Sequence, residues 1–289
     1  MLVKRKSNWY NIGVNMVENK KQEKKFNLKN DIIFKTFFSR KGNEEFLIDF
    51  LSALLKIEIT NIKIDQEVNL ESLAQDEKGG RIDIQAELNN GITVDIEMQL
   101  RDEKDIDKRT TYYAGKILSK ETKRGTEYKD INQVIMINIL NYEMLGFDEY
   151  VSETVTVLDK HRDYEMIKGL KWYFIELPKF RKTNPNMNEK LNQWLAFIDD
   201  YDRGLIEMAK KNNKTIEKAK IEMDYLTGDE EVKRLAELRE KWEMDYNSAI
   251  SNAKVEERRI IAKKLKKEKI SIEKIIEITG LEKEEIEEL

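Results

Sequence analysis

The chain has 289 residues, of which 37% are charged and 40% hydrophobic, and carries a formal net charge of -4. That is enough for one medium domain plus an appendage, or two small domains, with a real core under a heavily solvated surface. Cysteine is absent and His161 is the single histidine. Disulfides, thiolate sites and cysteine nucleophiles are therefore excluded, and imidazoles are too few for a dedicated zinc site. No nucleophile-elbow pattern accompanies His161, which reads as a surface loop residue. Any metal chemistry must use carboxylates, which suit magnesium or manganese.

Charge is uneven along the chain. Residues 1–29 hold eight Lys/Arg against two acids, and the last nine residues hold five Glu against one Lys. Such runs read first as solvated tails, and residues 1–26 as a flexible basic arm. No segment approaches the roughly 18 apolar residues of a membrane span, and no apolar signal core opens the chain, so a cytoplasmic protein without a membrane partner is expected.

Asn30-Asp31 caps a predicted helix from Ile32 to about Phe38, and Gly42 follows it. From about Glu44, Phe46, Leu47, Phe50, Leu51, Leu54 and Leu55 recur at helical spacing. Residues 61–68 read as a strand. Arg81–Leu88 and Ile92–Leu100 then alternate apolar and polar residues with period two, as half-buried strands do. Asn89-Asn90-Gly91 lies between them. A two-residue loop would set the two apolar rows on opposite faces. A three-residue loop with Gly91 left-handed pairs Leu88 with Ile92, Ile84 with Ile96, Ile82 with Met98 and Asp83 with Glu97, burying both rows together.

Residues 106–124 form the next predicted helix. Ile106, Thr110, Tyr113, Ala114, Ile117 and Leu118 share one side of it, and Arg109, Tyr112, Lys116, Lys120 and Lys123 the other. Val134–Ile137 is a continuous apolar strand of the kind found at a sheet centre. Trp172–Leu177 is a further strand, closed by Pro178. Residues 187–270 read as almost wholly helical, and 271–289 as a short hairpin of two helices broken at Gly280.

The hairpin register places Asp83 and Glu97 opposite one another, with Cβ atoms about 4.5–5.5 Å apart. Like charges so placed call for a cation between them, and a divalent ion held by carboxylates would polarise a phosphate and activate water. Gln99 shares their face, and its amide can orient water or a phosphate oxygen. Arg81 would stand opposite Gln99. The competing reading is that these polar residues are the solvent face of an antiparallel sheet. Likewise Arg109, Tyr112 and Lys116 fit a solvated helix face as well as a phosphate contact.

The stretches Asn30–Phe38, Arg81–Ile84, Asp95–Gln99, Arg109–Tyr113 and Phe174–Phe180 together resemble the recombination-promoting nuclease/putative transposase family of the PD-(D/E)XK nuclease superfamily. The resemblance implies an α/β fold, with a PD-(D/E)XK-like core of mixed central sheet flanked by helices over 27–186 and an all-helical C-terminal region over 187–289. It implies a magnesium- or manganese-dependent DNA endonuclease linked to recombination or mobile elements. Asp83 and Glu97 would hold the metal and Gln99 would stand at the superfamily's lysine position. Asp31 would be the assisting first-helix acid, with Glu44 or Glu45 as alternatives. Arg109, Tyr112 and Lys116 would contact DNA. The motif's proline is missing before Asp83. Two other readings stay open: a catalytically inactive DNA-binding or interaction scaffold, and a C-terminal hairpin used for DNA reading or, more in keeping with its acidic last helix, for homo-oligomer formation.

Overall fold

Local signals start the fold where the sequence places them. In the computed structural model, which describes residues 26–64, 83–89, 91–121 and 127–289, the Asn30 side chain accepts from the Ile33 backbone N–H and caps α1 (Asp31–Ser39). Helix α2 (Glu44–Leu55) follows. Next come β1 (Ile62–Ile64), β2 (Asp83–Leu88), β3 (Ile92–Gln99), α3 (Ile106–Glu121) and β4 (Gln133–Leu140). Gly91 sits at φ +70° and its N–H reaches the Leu88 carbonyl at 3.2 Å. The bulged turn sets the expected register, with Leu88 opposite Ile92, Ile84 opposite Ile96 and Asp83 opposite Glu97. The pairings expected for Arg81 and Ile82 lie outside the described residues.

The central sheet runs β1-β2-β3-β4-β8-β5, with β5 at Val151–Glu153 and β8 at Leu170–Glu176. It is mixed: β4 lies parallel to both β3 and β8, and the other neighbours are antiparallel. Helices flank it and a helical region follows, which is the expected architecture. The buried run of β4 fits its inner place, because parallel strands at a sheet centre are covered on both faces. A separate two-stranded ribbon, β6 (Thr156–Leu158) and β7 (His161–Ile167), was not expected. Its β7 strand is almost wholly exposed, so it carries no alternation to read. His161 opens that strand instead of lying in a loop. The strand expected over 61–68 is described only as β1, and the helix expected to 124 is described to Glu121.

The rest of the chain is α4 (Leu177–Arg181), α5 (Lys190–Asp199), α6 (Arg203–Asn212), α7 (Lys214–Leu226), α8 (Glu230–Lys267), α9 (Ile272–Thr279) and α10 (Lys283–Glu287). The boundary expected at 186 falls within one hydrophobic core. Trp194 packs against Phe38 and Phe50, Phe197 against Phe37, and buried residues continue through Leu226 and Val232 to Ala236. Phe26, expected in the basic arm, is buried in the same core. A small separate core of Ala262, Ile275, Leu281 and Ile286 joins the end of α8 to the α9–α10 hairpin.

Asp49 of α2 ties these helices together. Its carboxylate accepts from Trp194 Nε1 at 2.9 Å, Asn213 Nδ2 at 2.9 Å and Lys190 Nζ at 2.7 Å. Burial pushes its pKa up, but hydrogen bonds from Asn213, Lys190 and Trp194 outweigh burial and hold it below the ordinary value. Asp49→Ala strands a buried indole N–H, and urea unfolding at neutral pH should show a loss of about 2–3 kcal/mol. Because the folded-state pKa is lowered, this contribution is complete above 3.8 and fades as pH falls through the lowered value. The gap between wild type and variant should therefore close in acid.

Candidate active site

Period-two alternation sends Thr93, Asp95 and Glu97 to the face of β3 opposite its apolar row. That face is not solvated. Helix α3 lies over it, and Thr93, Asp95 and Glu97 are all buried, Glu97 to 1% exposure. The solvent-face reading of the hairpin is thereby overturned for β3. The reason is tertiary: Ala114 and Ile117 of α3 pack on Val134 and Met136 of β4, which draws the helix across the neighbouring strand. Beside Glu97 in register stands Asn138 of β4, buried to 1%, whose amide donates to Thr110 Oγ1 on α3 at 3.3 Å.

A carboxylate at such depth needs positive charge near it. Arg109 of α3 supplies some, its guanidinium 3.8 Å from Glu97 Oε1. That is an ion-pair distance beyond hydrogen-bond range. The direct hydrogen bond of Arg109 goes to Glu103 at 3.0 Å. Asp83 occupies the register position opposite Glu97 on β2.

At the C-terminal end of β3 the strand opens into a cleft of about 450 Å³, where Asp31, Glu97, Gln99 and Arg109 come together. Helix α8 forms its far wall through Arg239, Trp242 and Glu243. Arg239 grips Asp31 with two bonds, of 2.6 Å and 3.1 Å. Arg101, just past β3, bonds Glu243 at 3.1 Å and lies over the Tyr246 and Trp242 rings at 4.1 and 5.0 Å. Burial pushes the Glu243 pKa up, against the pull of Arg101 and Arg239. Burial, then the charge of Asp102, pushes the Tyr142 phenol above its ordinary value, with Arg109 opposing. Tyr142 therefore stays a neutral group beside this charged rim.

Of the residues singled out from sequence, Asp31, Glu97, Gln99 and Arg109 thus share one cleft. Lys116 lines a neighbouring recess, and Tyr112 is 66% exposed and lines neither. Glu44 and Glu45 lie elsewhere: Glu44 accepts from the Gly42 N–H, and Glu45 pairs with Lys218 of α7. Sequence reasoning missed Arg101, Arg239, Trp242 and Glu243. The last three sit on a helix more than 200 residues from Asp31, and no local pattern links them to it.

Residues 28–253 match a family described as PD-(D/E)XK nuclease family transposase. No curated protein and no solved structure matches significantly. The matched span runs into α8, so it includes the cleft's far wall.

The Asp31–Arg239 pair is 7% and 16% exposed at its two side chains, and removing one partner leaves the other charge buried. Arg239→Met should lower stability by about 3 kcal/mol. A double-mutant cycle with Asp31→Asn, read by urea unfolding, should recover at least about 1 kcal/mol as coupling. Additive losses would show that the two side chains do not interact.

Proposed function

Because the chain belongs to the PD-(D/E)XK nuclease family transposases, we propose that its cleft hydrolyses phosphodiester bonds of DNA as a divalent-metal-dependent endonuclease. The observation that carries this reading is Glu97, an acid buried beside an open cleft and in register with Asp83 on the next strand. The donor set fits magnesium or manganese, being carboxylate and amide oxygen without imidazole or thiolate. Asp83 and Glu97 would hold the ion. Asp31, bound by Arg239, would assist by positioning instead of ligating. When bound, such an ion supplies charge stabilisation to the phosphate and lowers the pKa of water.

The chain's own groups do the rest. The Gln99 amide accepts from and orients the attacking water. Water adds to phosphorus in line, the P–O bond to the leaving strand breaks, and the leaving oxygen takes up a proton. Arg109 stabilises the negative charge that grows on the phosphate. Lys116 and the exposed Tyr112 extend the contact along the strand. A link to recombination or mobile elements, and a cytoplasmic location, belong to the same reading. Among the described residues no helix is long and apolar enough to cross a membrane.

One observation favours a second reading, a non-catalytic DNA-binding scaffold. Arginines already stand against both Glu97 and Asp31, and Gln99 carries no charge. A supercoiled-plasmid assay with magnesium, manganese, calcium or chelator separates the two. The nuclease reading expects nicking with magnesium or manganese, abolished by chelator and reduced roughly 100-fold or more by Asp83→Ala and by Glu97→Gln. Binding without nicking in any metal would leave the scaffold.

The C-terminal hairpin suits self-association, because Ile260, Ile261 and Ile278 stay exposed around its small core. Deleting residues 269–289 should shift the gel-filtration peak from oligomer to monomer. An unchanged peak would remove that role.

A further inference from the structure

Two pairs of side chains meet in a second recess. Lys35 and Ser39 stand four residues apart on α1, and Lys116 and Lys120 four apart on α3, so each pair shares one helix face. All four line one recess of about 250 Å³, together with Asp95 and Tyr113. None of the three lysines makes a hydrogen bond or ion pair with another described residue. Among the described lining residues three cationic groups stand against one carboxylate, and like charges gathered there repel unless an anion joins them. The Ser39 hydroxyl, at 6% residue exposure, has no hydrogen-bond partner among the described residues. A buried hydroxyl left without a partner costs free energy, and an anion's oxygen would satisfy it. A solvated helix face explains Lys116 and Lys120 alone. It does not explain why half-buried Lys35 and buried Ser39 of another element converge on them.

The recess adjoins the cleft. Tyr113 lines both, and Asp95 precedes Glu97 by two residues on the same face of β3, a separation of about 7 Å. Nucleic acid carries one phosphate per roughly 3.4 Å of axis on each strand, so a strand seated at Glu97 brings further phosphates over this interval.

We propose that the recess is a phosphate subsite. There Lys35, Lys116, Lys120 and the Ser39 hydroxyl hold a backbone phosphate of the nucleic-acid strand, next to the position occupied at Glu97. This rests on the nucleic-acid reading of the cleft, but on neither its metal nor its cleavage step.

Fluorescence anisotropy of a labelled DNA duplex with the full chain tests it, with calcium in place of magnesium, over a series of NaCl concentrations. Lys35→Ala/Lys120→Ala should weaken binding and lower the slope of log K against log salt by about 1, the signature of one phosphate left without its cations. Lys254→Ala/Lys263→Ala makes the same charge change at exposed positions far along α8 and should leave the slope as in wild type. Ser39→Ala should weaken binding roughly fivefold with no change in slope. Lys35→Gln replaces Lys35→Ala if thermal melting shows that the alanine disturbs α1.

An unchanged slope in the lysine pair overturns the proposal, as does an equal fall in the control pair or a wild type that binds no duplex. Titration with orthophosphate separates the sources: binding of orthophosphate without binding of duplex would make this a free-phosphate site and end the strand assignment. A wild type with a lysine-dependent slope that never nicks plasmid keeps the subsite and loses the nuclease. A nicking enzyme indifferent to Lys35 and Lys120 does the reverse.

Discussion

Burial of the Glu97 carboxylate is the constraint around which the surrounding elements are arranged. Taking a carboxylate out of water costs several kcal/mol unless charge or hydrogen bonds replace the lost solvation. Here α3 covers the strand and supplies part of that compensation. Arg109 stands at ion-pair distance but gives its direct hydrogen bond to Glu103. Arg109 and the register position of Asp83 thus both stand beside the buried Glu97 carboxylate.

The same cleft explains the long C-terminal helix. The first turns of α8 carry Val232 and Ala236 into the main core. The next turns present Arg239, Trp242, Glu243 and Tyr246 to the mouth of the site. Arg101, partly buried over the stacked Trp242 and Tyr246 rings and bonded to Glu243, makes a cation-π arrangement that holds the helix against the end of β3. The helical region is thus two things in sequence: a wall of the site as far as Tyr246, and beyond it an exposed rod ending in a hairpin with its own small core.

Charge is sorted along the polar face of β3. Toward the end of the strand, Asp31, Glu97, Glu103 and Glu243 alternate with Arg101, Arg109 and Arg239, and most of these charges are matched. Toward its start, Lys35, Lys116 and Lys120 gather around Asp95, and none of the three pairs with an acid among the described residues. This contrast explains a puzzle of composition. The chain's net charge of -4 gives no sign of a nucleic-acid ligand, yet among the described residues the recess beside the cleft gathers three lysines. Binding of a polyanion depends on such local density more than on the sum over the chain.

Sequence alone determined the hairpin and its register. Period two allows only one loop length that buries both apolar rows, and Gly91 supplies the left-handed turn which that loop requires. It also determined the capped helix α1, the buried character of β4 and the helical nature of the C-terminal third, because capping, period and apolar runs act over a few residues. The tertiary structure alone decided that the acidic face of β3 is buried, through packing of α3 on β4. It alone paired Asp31 with Arg239 across 208 residues, carried the core through residue 186, and gathered lysines from α1 and α3 into one recess. It also formed the ribbon β6–β7, whose exposed strand carries no alternation. Those outcomes depend on which surfaces meet in space, and a one-dimensional pattern carries no term for contacts between distant elements.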